Sequence, residues 1–164
     1  MIVEADIRKK YVTYLEDEFN YRKLVDYKYV NDEINSLNKP TGCLWASPVD
    51  ASYSWMDYCT DNEILLDRFN HSIEFNIKEG NKILEIGMKD VENYGKQESY
   101  INNYIVDDRL DFKKLYNDGI VAVELLDACI GHCFINKLEA NFNAWDCDSI
   151  VILNPECINI TDIK

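Results

Sequence analysis

Apolar side chains recur at Val3, Ile7, Tyr11, Tyr14, Leu15 and Phe19, and the charged Arg8, Lys9, Lys10, Glu16 and Asp17 fall between them. A spacing of three to four lines one face of a helix, so an amphipathic helix is expected within residues 1–20, packed on a core made by residues 21–164. The following YRKLVDYKYV, residues 21–30, is aromatic and β-branched and is expected to be an early strand. Asn38-Lys39-Pro40-Thr41-Gly42 has turn chemistry, because proline fixes one dihedral and glycine permits positive φ. CLWASP, residues 43–48, then reads as a short strand stopped by its proline, and Asp50 as the cap of a helix carrying Tyr53, Trp55, Met56 and Cys59. Trp45 on that strand and Trp55 on that helix are expected to be mostly buried.

A period of two appears at Ile73, Phe75 and Ile77 and returns at Leu84, Ile86 and Met88 after the Lys78-Glu79-Gly80-Asn81 turn, which predicts a strand pair. Helical segments are expected over residues 89–94 and 99–106, and again over 111–116, capped by Asp111 and stopped by Asn117-Asp118-Gly119. IVAVELL, residues 120–126, is apolar enough for a central strand although Glu124 lies inside it. A weaker helix is expected over 131–140, then a buried strand over 149–153 ended by Asn154-Pro155, and an extended tail over 158–163. The elements mix without a regular βαβ alternation and without a glycine-rich phosphate loop. The expected fold is therefore α+β, with a mostly antiparallel, twisted sheet and flanking helices.

The chain has 164 residues, the size of a single domain with its own core. Seventeen Lys and Arg against 30 Asp and Glu leave a net charge of −13, which disfavours non-specific nucleic-acid binding. Hydrophobic residues at 47% argue for a folded chain, and no apolar run approaches the roughly 20 residues of a membrane helix. MIVEADIRKK places its basic charges after its apolar residues, the reverse of a secretion signal, so a cytoplasmic protein is expected. Its six cysteines are accordingly expected to be reduced thiols.

Cys129, His132 and Cys133 resemble metal ligands in type, but a structural zinc site needs four and no second such pair occurs, so no metal is expected. His71 stands alone, without a neighbouring serine or cysteine motif, and supports no triad. Asp146 and Asp148 flank Cys147 directly before an apolar strand, where a carboxylate can stabilise developing positive charge, act as a base, or merely cap the turn. Glu124 either points off a sheet edge into water or is buried with its pKa pushed upward.

Three stretches, residues 38–59, 110–125 and 145–158, resemble in that order a group of small bacterial and phage proteins similar to the ADP-ribosyltransferase superfamily. The most specific parts are Lys39-Pro40-x-Gly42-x-Leu44-Trp45-x-Ser47 and Trp145-Asp146-x-Asp148-Ser149. The resemblance implies a split antiparallel sheet whose cleft binds NAD as co-substrate. Ser47 matches the motif that shapes the nicotinamide pocket, with Trp45 beside it. Asp148 falls near the late acidic position, one residue off its usual register and an Asp in place of Glu, with Glu124 as the carboxylate that could replace it. The first-strand His or Arg that grips the dinucleotide has no histidine counterpart here, which leaves Arg22 or Tyr29 as substitutes, or a lost grip.

The function this resemblance implies is an NAD-dependent mono-ADP-ribosyltransferase that modifies a macromolecular target, with a protein as the expected one. NAD hydrolysis without an acceptor would use the same pocket. A different class is a non-catalytic acidic inhibitor on the same fold, such as a phage anti-defence protein that binds a host protein through its charge.

Overall fold

The computed structural model describes residues 1–30, 39–40, 42–64, 69–96, 99–126, 142 and 145–164. Within residues 1–20 it places two strands where one helix is expected, β1 (Ile2–Glu4) and β2 (Tyr11–Leu15). The Asp6 carboxylate accepts from the Arg8 backbone N–H at 2.9 Å, and Lys9 N–H donates to the Asp6 carbonyl at 2.9 Å, so the chain turns between them. Beyond the turn, Tyr11 and Thr13 are buried while Val12 is only partly so, an alternation that the spacing of three to four concealed.

The strand expected over residues 21–30 is also replaced. Two 3₁₀ turns stand there, Tyr21–Lys23 and Tyr27–Tyr29. The side chains of Asn20 and Asp26 accept from Arg22 N–H and Lys28 N–H, each at 3.0 Å, and these local caps compete successfully with a sheet ladder.

Most later elements fall where expected: β3 (Leu44–Pro48), α1 (Trp55–Asp61), β4 (His71–Ile77), β5 (Lys82–Ile86), α2 (Met88–Glu92), α3 (Phe112–Asn117), β8 (Ile120–Leu125), β9 (Ser149–Ile152) and β10 (Ile158–Ile163). Ser54, not Asp50, caps α1, through a reciprocal box with Asp57. The helix expected over 99–106 is a 3₁₀ turn, Tyr100–Tyr104, followed by β6 (Ile105–Val106), which pairs with β7 (Arg109–Leu110). The helix expected over 131–140 lies outside the described residues.

Eight strands form one sheet in the order β1-β5-β8-β9-β3-β2-β4-β10, antiparallel except between β5 and β8. The fold is thus mixed α+β, with a large, mostly antiparallel sheet and, among the described residues, few and short helices. Strands β4 and β5 are not the pair that their spacing suggests: β4 joins β2 and β10, and β5 joins β1 and β8. Five positions separate them in the sheet, about 24 Å if it were flat, yet the chain from Ile77 to Lys82 spans at most about 17 Å. The sheet must therefore fold over, with β1-β5-β8-β9-β3 as one leaf and β2-β4-β10 as the other. Tyr11, Phe75, Ile83, Ala122, Ile150 and Ile158, drawn from both leaves, share one buried cluster. On the opposite face of the first leaf, Leu84, Val123, Leu125 and Val151 pack with Val91, Ile101, Phe112 and Leu115 of the helical segments.

Candidate functional site

The two leaves join at β2 and β3 through two residue pairs only, Tyr11 with Pro48 and Val12 with Ser47. Past that point Thr13, Tyr14 and Leu15 pair with β4, whereas Leu44, Trp45 and Ala46 pair with β9. The strands diverge, and the wedge between them is a cleft of about 300 Å³ lined by Val12, Thr13 and Tyr14 on one side and Trp45, Ala46 and Ser47 on the other. Trp55, Trp145, Cys147, Ser149 and Lys39 complete it. The chain has three tryptophans, and all three line this cleft.

Each wall has a local cause. Trp45 meets Trp145 edge to face, with ring centroids 4.7 Å apart, and its indole N–H donates to the Pro40 carbonyl at 3.4 Å. Trp145 is buried, and Trp45 and Trp55 are mostly covered, each leaving one part open to the cleft. Trp55 opens α1, and its backbone N–H donates to Ser47 Oγ at 3.0 Å, docking the start of the helix on β3. Lys39 Nζ stands 5.3 Å from the Trp45 ring and 3.7 Å from the Asp146 carboxylate.

Ser47, Cys147 and Ser149 share one polar floor. The Cys147 thiol lies 3.2 Å from Ser149 Oγ and 3.9 Å from Ser47 Oγ, and burial pushes its pKa upward. It is a thiol rather than a ready thiolate. Cys147 and Ser149 line the cleft, and the intervening Asp148 takes a different partner: its carboxylate accepts from Ser52 Oγ at 2.9 Å. Asp148 N–H donates to the Tyr53 carbonyl at 3.0 Å, so the residue ties the segment between β3 and α1 against β9. Asp146 occupies a left-handed turn at φ 54°, a conformation aspartate tolerates, and raises the pKa of the Tyr58 hydroxyl by its charge.

Ser47 and Trp45 thus meet in the cleft, with Asp148 adjoining its floor. The other candidates lie elsewhere. Arg22 and Tyr29 sit exposed in the 3₁₀ turns, the latter with Lys28 Nζ 4.9 Å from its ring, and neither lines the cleft. Glu124 shares its face of β8 with Ala122, on the inner side where the leaves meet, and is fully buried. Of its two expected environments the buried one holds: desolvation raises its pKa, opposed by Lys9 Nζ at 2.8 and 2.9 Å from its two oxygens and by the Tyr11 hydroxyl at 3.2 Å. Sequence reading missed Val12, Thr13 and Tyr14 as cleft residues because residues 1–20 read as a helix; the β-branched and aromatic content of YVTYL was the signal available.

Cys129, His132 and Cys133 lie outside the described residues; among those described, no cluster of three or more His, Cys, Asp or Glu side chains is arranged to hold a metal ion. No helix among the described residues is long and apolar enough to cross a membrane. No protein-family model, no curated protein and no solved structure matches the chain.

Proposed function

We propose that the chain is an NAD-dependent mono-ADP-ribosyltransferase that modifies a macromolecular target, using the cleft at the β2–β3 split. One observation carries the reading. Three indoles wall a slot whose floor presents the Ser47 and Ser149 hydroxyls, the combination that suits a planar heterocycle attached to a sugar. At about 300 Å³ the cleft stands at the lower end of ligand pockets, which run from about 300 to 1,000 Å³. It suits the nicotinamide ribose of NAD, with the pyrophosphate at the mouth beside Lys39.

In the reaction the bond between the ribose C1′ and the nicotinamide nitrogen breaks, and its electron pair leaves with nicotinamide. A nucleophile of the target bonds to C1′ and gives its proton to water. Positive charge develops on the ribose in between, and Asp148, placed between the floor residues Cys147 and Ser149 and held by Ser52, is the carboxylate we assign to stabilise it through its charge. The indole walls exclude water from the same carbon, which favours transfer over hydrolysis.

Incubation with labelled NAD and a bacterial lysate tests the activity. Label on protein together with released nicotinamide is the expected result. Released nicotinamide without labelled protein would instead mark an NAD hydrolase. If saturation-transfer NMR shows no NAD contact with any indole, the reading falls, and an acidic binding protein takes its place.

A further inference from the structure

The leaves of the sheet are joined at β2 and β3 by a ladder of two residue pairs, and the cleft opens immediately beyond it. A hinge so short leaves the angle between the two leaves to the contacts between their inner faces, where both leaves contribute to one buried cluster. On the inner side of the same hinge, the fully buried Glu124 carboxylate of β8 receives Lys9 Nζ at 2.8 and 2.9 Å and the Tyr11 hydroxyl at 3.2 Å. Strand β8 belongs to the first leaf, Tyr11 to the second, and Lys9 to the segment entering it. Three steps of the sheet, about 14 Å when flat, separate β8 from β2, so this contact exists only while the leaves are folded together.

We infer that Lys9 and Glu124 form a latch that sets the opening of the β2–β3 split, which makes Lys9 a positioning residue for the occupant of the tryptophan-lined cleft. The inference rests on the proposed function only for the identity of that occupant. Lys9 lies two residues before Tyr11 and three before Val12, the first cleft residue of β2. The Lys10 carbonyl accepts from Val49 N–H at 2.9 Å, so Lys9 is held at the root of the hinge. Glu85 stands 3.9 Å from the same ammonium group, at the register position facing Glu124 on β5. It offers Lys9 a second, more exposed partner when Glu124 lets go. Leaving the buried Glu124 without its counter-charge is costly, so the arrangement with Lys9 on Glu124 is the favoured one.

The test uses the full-length chain with 5-fluorotryptophan, whose only labelled positions are the three cleft indoles, together with NAD titration. Lys9→Met and Glu124→Gln are each expected to shift the fluorine resonances of Trp45 and Trp55 in the folded protein and to weaken NAD binding about tenfold. Lys9→Arg, which keeps the cation, is expected to restore both. A merely structural role would lower the melting temperature but leave the folded-state resonances in place. Unshifted resonances in folded variants overturn the latch, whatever NAD does. Shifted resonances in a protein that binds no NAD, even as wild type, keep the latch and remove the NAD reading. Should Lys9→Met fail to fold because Glu124 is left buried without its counter-charge, the Lys9→Met/Glu124→Gln double variant removes both charges and is read in the same way.

Discussion

At the scale of single residues, two carboxylates that look alike in sequence have opposite settings. Asp148 adjoins the cleft floor and is held by a hydroxyl, whereas Glu124 is enclosed between the leaves with a lysine. If the proposed chemistry holds, Asp148→Asn keeps the fold and NAD binding but lowers turnover at least tenfold, about 1.4 kcal/mol of transition-state stabilisation, measurable as nicotinamide release. Glu124 bears on stability. Its folded pKa lies above the ordinary carboxylate value because burial disfavours the charge, so the folded state binds the extra proton. Its contribution is fully present below the unfolded pKa and is lost as pH rises through the folded one. Melting curves from about pH 4 upward are expected to show wild type losing stability relative to Glu124→Gln; a constant difference would contradict this. Sequence alone left both environments open for Glu124, because the answer depends on Lys9, 115 residues away.

Among the elements, α1 brings Trp55 to the cleft and depends on its cap. Ser54 Oγ accepts from Asp57 N–H, and the Asp57 carboxylate accepts from Ser54 N–H at 2.8 Å. Ser54→Ala is expected to cost about 1 kcal/mol, read from chemical denaturation. Ser47→Ala removes the acceptor for Trp55 N–H in the same first turn and is expected to cost a similar 1 kcal/mol or so, with a red shift of tryptophan emission that Ser54→Ala shares. The main-sheet strands from Leu44 onward were legible, β3, β8 and β9 as compact apolar runs and β4 and β5 by their period of two, whereas β6 and β7 were hidden in and just after a stretch that reads as helix. Residues 2–15 were not, since Val3, Ile7, Tyr11 and Leu15 satisfy a helical period as well as a strand fragment does, and only pairing with β4 and β5 decides. Residues 21–30 misled for a different reason: the polar caps Asn20 and Asp26 outweighed the aromatic content between them. The pairing of β4 with β5 was unreadable because adjacency in sequence is only a tendency in a sheet that folds over.

For the whole molecule, a net charge of −13 sets like charges repelling across its surface, against exposed ion pairs that are each worth little. Raising NaCl from about 0.01 to 0.5 M is expected to raise the melting temperature, because screening shortens the reach of that repulsion; a fall would show that local pairs dominate. Composition conveyed this charge at once, as it conveyed a folded chain, but the two leaves and the cleft between them follow from pairing order. That order also governs how the chain is made. Strand β9, residues 149–152, lies inside the sheet between β8 and β3, although it comes late in the sequence. Leu44 must find Ile152, and Ile2 must find Leu84, so the contacts that close the sheet are far apart along the chain. Such pairings form slowly. During synthesis β3 and β8 wait as exposed apolar edges until β9 leaves the ribosome, and the nascent protein needs protection from aggregation until then.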